Sequence, residues 1–295
     1  LFISSNTIIT TENGNVLADS NYEKTFTVNG FISPEKIVEN KKTSFIKTEL
    51  FPTLSIGDNT EILSGRLESA NNKLFIKNNF YTRQSLKEGD FLFVPKITYN
   101  VESLFNRTTL WLYAKYITSG YYCLEKQTNK PTIIIKLNRF SKKEAVKLKK
   151  YENITYDLNN KMIVIQNEEI IKEFTINKQS LNLKVYGCDE NLAKFFLHAM
   201  LIENNNKIIC KYKTLAYDIF MYAYSKCNVI YKITEYKNDN KKEFCISEAN
   251  NDEFLIVQKQ LYVKITKILE GKELRGISIK NPENNLFCIG FLIIK

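Results

Sequence analysis

Residues 183–202 read Leu183-Lys184-Val185-Tyr186-Gly187-Cys188-Asp189-Glu190-Asn191-Leu192-Ala193-Lys194-Phe195-Phe196-Leu197-His198-Ala199-Met200-Leu201-Ile202, and the change of period inside this stretch decides the fold class. Residues 183–186 alternate as a strand does and run into Gly187. From 192 to 202 the apolar positions recur every three or four residues, the spacing of one helix face. The same alternation continues downstream. A strand at 207–210 precedes a helix at 214–226 with Leu215, Ile219, Phe220 and Ala223 along one side, and further strands are expected at 228–231, 244–246 and 262–265. Strands alternating with helices of about ten residues imply a parallel sheet covered on both faces.

Upstream the pattern differs. Between residues 1 and 137 short β-rich runs follow one another, among them Phe26-Thr27-Val28, 73–77, 91–95, 110–116, 121–124 and 132–137. Turn signals separate them at Asn13-Gly14, Asn29-Gly30, Gly57-Asp58, Asn71-Asn72 and Gly89-Asp90. Such spacing argues for a barrel or sandwich. Between the halves, 141–150 reads as a Lys-rich, solvated connecting helix with an apolar side at Ala145 and Leu148, and 162–166 as a strand. The expected organisation is multidomain, α and β: an N-terminal β-barrel over 1–140, a connecting segment over 141–175, an α/β parallel-sheet domain over 176–280 and a tail over 281–295.

Composition bounds the function classes. The chain has 295 residues, 44% hydrophobic and 25% charged, with 10 Gly and 5 Pro. That suits about two folded domains and excludes disordered, collagen-like or linker-like chains. The net charge is +10, yet only 5 of the 42 basic residues are Arg, the side chain that forks onto phosphates and guanine edges. Lysine accompanied by abundant Asn and Ile reads as a global bias, so no specific nucleic-acid partner is expected. The six cysteines (Cys123, Cys188, Cys210, Cys227, Cys245 and Cys288) form no CxxC pair and sit mostly in apolar runs, which suits buried free thiols. His198, the single histidine, lies among Phe195, Phe196, Leu197, Ala199 and Met200 and is expected to be a packed core residue. No signal peptide and no membrane span are expected, since the apolar run at 286–294 is about half of what a span needs. A start at Leu1 and an end in that run read as the limits of a segment of a longer polypeptide.

In segment order, residues 176–280 resemble the large subdomain of AAA+ ATPases, a P-loop NTPase fold. Val185-Tyr186-Gly187 followed by a loop and a helix stands in the place of the phosphate-binding loop, where the family has Gly-x4-Gly-Lys-Ser/Thr. Gly187 keeps the first glycine. Leu192 replaces the second, Ala193 stands at the lysine and Lys194 at the hydroxyl, so Lys194 serves as a vestigial phosphate lysine only with a one-residue slip. The stretch 229–235 resembles the strand of the magnesium-binding pair, with Thr234 replacing the Asp and Glu235 keeping, vestigially, the position of the water-activating base. Asn250, after Cys245-Ile246-Ser247-Glu248-Ala249, matches the sensor asparagine. The stretch 252–265 resembles the helix, loop and strand of the arginine finger but carries Gln258, Lys259 and Gln260 instead, and 270–279 resembles the acidic turn and helix that follow.

The β half resembles AAA N-terminal domains through Asn79-Phe80-Tyr81, Leu86-Lys87-Glu88-Gly89-Asp90-Phe91-Leu92-Phe93-Val94-Pro95, 111–116 and Gly120-Tyr121-Tyr122-Cys123, most like the peroxisomal peroxin-6 and peroxin-1 type. In the Lys87–Asp90 turn, Gly89 is expected to supply a positive φ. The resemblance implies a non-hydrolysing N-terminal and first-ring portion of a two-ring AAA+ unfoldase, a scaffold in protein translocation or extraction. Its partners would be AAA+ subunits in a ring and an adaptor or cargo protein bound by the barrel. It would work in the cytoplasm or peripherally on an organelle membrane. No functional cofactor and no metal are implied, because hydrolysis needs the lysine, magnesium ligands and arginine finger together. ATP would bind only weakly, since Asp189 and Glu190 oppose its phosphates. Two other readings stand beside this one. One is a β-barrel single-stranded nucleic-acid-binding protein stacking bases on Tyr81, Trp111, Tyr113 and Tyr116; the other is a divergent AAA protein of the valosin-containing-protein or N-ethylmaleimide-sensitive-factor type.

Overall fold

The computed structural model describes residues 2–294 except 6, 13, 21, 28–29, 71–72, 98, 104, 126–127, 176–178, 203–204, 239–240, 281–286 and 290–291. The chain forms two compact units, each drawn from separate stretches: the first from 1–97, 231–235 and 248–295, the second from 98–230 and 236–247. Asn13, Val28, Asn29, Asn71 and Asn72 of the expected turns and strands lie outside the described residues, as do Asn281, Pro282, Leu286 and Phe291 of the tail.

The first unit is built on one large sheet. Its path runs Phe2–Ser4, Leu54–Gly57, Glu35–Thr48, Gln260–Lys280, Phe91–Val94, Ile62–Ala70, Leu292–Ile294, Phe287–Ile289, Thr25–Thr27, Ile8–Thr11 and Gly14–Leu17. Lys73–Tyr81 adds to Ile62–Ala70, Gly30–Ile32 to Thr25–Thr27, and Phe254–Val257 to Gln260–Lys280. The spine is the pairing of Gln260–Lys280 with Glu35–Thr48, in register from Ile265 opposite Thr48 to Lys280 opposite Glu35 and bulged near Lys267 and Gly271. Ile46, Ile56, Ile62, Leu92, Val94, Leu261, Val263 and Ile265 form its apolar core. The strands Phe287–Ile289 and Leu292–Ile294 place the apolar tail back on this sheet, as its composition requires.

One ion pair locks a turn onto the spine. Asp90 accepts from Arg66 Nε at 2.9 Å and Nη2 at 3.0 Å and from the Lys87 backbone N–H at 2.9 Å. Gly89 takes φ 93° between them, the left-handed value that the turn requires. The Gly89 N–H donates to the Ile265 carbonyl, and the Ile265 N–H donates back to Asp90.

The second unit combines helices with two small sheets. The helices are α1 (Arg107–Ser119), α2 (Lys142–Leu148), α3 (Glu168–Thr175), α4 (Glu190–Leu201) and α5 (Lys213–Tyr222). One sheet orders Gly120–Leu124, Pro131–Lys136, Met162–Ile165 and Ile154–Asp157; the other pairs Ile208–Cys210 with residues 244–246. The core is aromatic. Tyr113 stacks on Phe105 (5.4 Å between ring centres) and Phe196 (5.9 Å) and meets Phe174 at 5.0 Å. Its buried hydroxyl accepts the Asn182 N–H at 2.8 Å. Tyr186 and Tyr222 pack edge to face beside them.

Several sequence expectations are corrected. The parallel sheet expected over 176–280 is not formed; every described strand pairing is antiparallel. Parallel neighbours need a long crossover. Here Phe254–Val257 returns as Gln260–Lys280 through two residues, Gln258 (φ 50°) and Lys259 (φ 66°), the turn geometry usually marked by Asn-Gly. That hairpin and its long second strand replace the helix expected at the start of 252–265 and the acidic turn and helix expected at 270–279, while the strand expected at 262–265 forms within Gln260–Lys280. Residues 183–187 form a 3₁₀ turn capped by Asn182 instead of a strand. Asn228, left-handed at φ 54°, closes a π-turn at Ala223–Cys227 and delays the following strand to Tyr231. The N-terminal sheet is open and is completed by C-terminal strands, so it is not a closed barrel. The expected strand at 110–116 is helix α1, started by a reciprocal cap between Asn106 and Thr109. Five of its seven residues are buried hydrophobics, so apolar and polar positions gave no clean period. Helices α2, α4 and α5 stand where expected. Cys123, Cys188, Cys210, Cys227 and Cys245 are free thiols.

Two stability predictions follow from this packing. Asp90→Ala removes the buried partner of the half-buried Arg66 and should cost about 2 kcal/mol in urea denaturation, less than a fully buried pair because Arg66 is partly solvated. Burial pushes the Tyr22 and Tyr116 hydroxyls up to about 12. The unfolded chain ionises first, near pH 10, so their contribution is whole below that and is lost as pH rises towards 12. Stability should fall by about 1.4 kcal/mol per pH unit for each such tyrosine across that window. Tyrosinate absorbance should therefore rise in two stages, the second coinciding with unfolding.

Candidate functional site

The four residues singled out by the resemblance fall in different units. Gly187 and Lys194 belong to the second, Glu235 and Asn250 to the first. Gly187 ends the 3₁₀ turn where a Cβ would collide with the backbone of Val101 and Ser103; close packing accounts for its lack of a side chain. Asp189 caps α4 by accepting the Leu192 N–H at 2.8 Å, so this amide of the first turn is already occupied by a carboxylate. Lys194 lies on the solvent side of α4, paired with Glu190 at 2.6 Å. Glu235 is exposed on its strand. The Asn250 N–H donates to Glu253 at 2.8 Å in a turn where Glu253 also binds Lys232. Among the described residues, no group of three or more His, Cys, Asp or Glu could hold a metal, and no helix is long and apolar enough to cross a membrane.

Among the aromatics proposed for base stacking, Tyr113 and Tyr116 are buried core residues on α1. Tyr81 is partly covered by the Arg66 guanidinium, 4.2 Å from its ring centre. Trp111 has a different setting. It projects from α1 into a hollow of about 430 Å³ that also receives Arg107, Lys115, Arg139, Lys147, Phe195 and His198. Arg107 and Lys115 each stand one turn from Trp111 on α1, one on either side. Phe195, His198, Ala199 and Ile202 recur at helical spacing along α4. Lys147 comes from α2, and Arg139 lies just before that helix.

The chemistry of the hollow is cationic with aromatic walls. Four cations face one carboxylate, Glu144, and that carboxylate is engaged by the Ser141 N–H at 2.8 Å and hydroxyl at 2.7 Å at the start of α2. The Arg107 guanidinium lies 4.5 Å from the centre of Phe195, a cation–π arrangement that holds both side chains at the rim. Lys115 is buried; its ammonium donates to the Ala199 carbonyl at 2.7 Å, near the C-terminal end of α4, where the helix presents partial negative charge. Trp111 and Phe195 are half-buried, while Arg139, Lys147 and His198 are exposed. His198 is thus a rim residue and not the core residue its apolar neighbours implied: α4 buries Ala193, Phe196, Leu197 and Met200 and turns position 198 outward. Arg107, Arg139, Lys147 and Phe195 were not singled out by the sequence. The signal available was the scarcity of arginine, since two of five converge here.

Compared with known proteins, the chain matches no family model and no curated protein.

Replacing Lys115 with Met keeps the volume but leaves the Ala199 carbonyl without that donor. This should destabilise the chain by about 1–3 kcal/mol, measurable as a lower urea midpoint with an unchanged m-value.

Proposed function

We propose that the second unit is a non-catalytic binding module for a nucleoside phosphate, received at the Trp111 hollow. The observation that carries this reading is the convergence of Trp111 with Arg107, Arg139 and Lys147 around one concavity. A planar base finds an aromatic face in Trp111. The phosphates find arginines, whose planar forks suit paired oxygens, and a lysine as a mobile point charge. Stacking of a base on an aromatic side chain contributes about 1–3 kcal/mol. A hollow of about 430 Å³ is within the usual size of small-ligand sites. The composition argued against a selected basic surface because lysine is spread along the chain; the local gathering of arginine supports one.

The scaffold role implied by the AAA+ resemblance calls for a parallel sheet, which the described residues do not form, and the nucleoside-phosphate reading does not rest on it. It rests equally little on the phosphate-loop positions, because Asp189 occupies the Leu192 amide.

Trp111 is the only tryptophan, so its fluorescence reports directly on the hollow. Titration with a nucleoside diphosphate should quench it with a micromolar midpoint. Arg139→Glu and a rise in salt should each weaken binding by about tenfold. Inorganic pyrophosphate, which lacks the ring, should bind at least tenfold more weakly. No quenching up to millimolar nucleotide, or equal affinity for pyrophosphate, would overturn the reading.

A further inference from the structure

Glu144 is the single carboxylate among the residues lining the Trp111 hollow, and it is half-buried there. A negative charge repels the phosphates that the neighbouring cations attract, so its presence needs a reason. Its two oxygens are used unequally. Oε2 accepts the Ser141 N–H at 2.8 Å and the Ser141 hydroxyl at 2.7 Å, and the Glu144 N–H donates back to Ser141 Oγ at 3.2 Å. This reciprocal cap fixes the carboxylate. Among the described residues, nothing donates a hydrogen bond to Oε1. Nor does Glu144 form an ion pair with Arg107, Arg139 or Lys147 among those residues, although all four line one hollow. The cap holds the carboxylate off the cations instead of letting it neutralise them.

Oε1 is therefore a fixed acceptor whose lone pairs are unclaimed. The donors that a nucleoside phosphate offers are few: its sugar hydroxyls and, in some bases, an N–H group. Arg139 lies just before the Ser141 cap, and Lys147 lies one turn beyond Glu144 on α2. Two of the cations suited to phosphate thus flank Glu144 on one segment, whereas the ring that suits the base is on α1. In the ligand it is the sugar that adjoins the phosphates.

We infer that Glu144 determines which sugar the hollow accepts: Oε1 takes the 2′- and 3′-hydroxyls of a ribose, so the ligand is a ribonucleotide. This rests on the nucleoside-phosphate reading and adds the sugar to it. A hydroxyl donating to a carboxylate makes a hydrogen bond of the stronger, charge-assisted kind. A site built around such an acceptor rejects an analogue that lacks the hydroxyl.

The test follows Trp111 fluorescence of the full chain with ADP, 2′,3′-dideoxy-ADP and inosine diphosphate, in the parent and in Glu144→Gln. Glutamine still serves the cap. Its one carbonyl oxygen is then taken by Ser141, so the hollow is offered an amide NH2, which donates and cannot accept. The parent should bind ADP about tenfold more tightly than the dideoxy analogue, and inosine diphosphate about as well as ADP. In Glu144→Gln the preference for ADP over the dideoxy analogue should disappear, while the dideoxy analogue still binds and the urea midpoint holds. Equal affinity for ADP and the dideoxy analogue in the parent would overturn the inference and leave the nucleoside-phosphate reading standing. So would a preference that Glu144→Gln leaves unchanged. Selective weakness of inosine diphosphate would also overturn it, since the carboxylate would then be reading the base. Loss of all binding in Glu144→Gln would do the same, by showing that the carboxylate serves the site's shape. No quenching by ADP up to millimolar concentration would overturn both readings.

Discussion

The hydroxyl of Tyr113, sunk among Phe105, Phe174 and Phe196, accepts the backbone N–H of Asn182, and most of the second unit follows from that arrangement. A phenol can enter an apolar core only if its oxygen finds a partner. Here the partner is the residue that begins the 3₁₀ turn and, through Asn182 Nδ2, is tied to the Glu173 carbonyl of α3. One side chain of α1 therefore fixes the helix against α3, α4 and the turn at once. The rotation of α1 about its axis is set by this ring stack. With Tyr113 inward, Trp111 and Lys115 come to one flank and Tyr116 to another.

In the first unit the comparable constraint is electrostatic. Asp90 gathers both Arg66 nitrogens and the Lys87 N–H, so the turn at Gly89 is held where it can exchange backbone hydrogen bonds with Ile265. The charged group is shielded by the sheet, and the pairing with arginine is of the bidentate kind that salt screens least. That fastening brings Phe91–Val94 into register with residues 261–264 and carries the core across the spine of the sheet.

How much of this was legible depends on whether the signal is local. The helices α2, α4 and α5 could be read because their apolar residues recur on one face, and because Ser141 and Asp189 supply side-chain caps to the first two. Helix α1 starts at a reciprocal cap between Asn106 and Thr109, but a run such as 110–116, buried nearly all round, carries no period that separates strand from helix. The hairpin at Gln258-Lys259 was hidden because residues that seldom adopt positive φ occupy a turn that usually carries glycine. Strand direction was the larger failure, since nothing local tells residue 46 that its neighbour will be residue 268. At the Trp111 hollow, Trp111 was noticed as a residue able to stack a base and His198 as a core residue. The site itself was invisible because its cations lie on three segments joined only by the packing of α1, α2 and α4.

The spine of the first sheet also sets a timetable for biosynthesis. Glu35–Thr48 leaves the ribosome before its partner Gln260–Lys280, which follows after about 220 residues, at usual rates of synthesis on the order of ten to forty seconds later. Through that interval the intervening residues 98–230 of the second unit can collapse on their own aromatic core, whereas the N-terminal strands have an unfilled edge carrying Ile37 and Val38, both exposed even in the finished fold. Such an edge is a template for pairing with any other extended chain. The protein thus spends its youth adhesive and its maturity closed, and a cell making it in quantity must either shield that edge or make the chain slowly and sparsely.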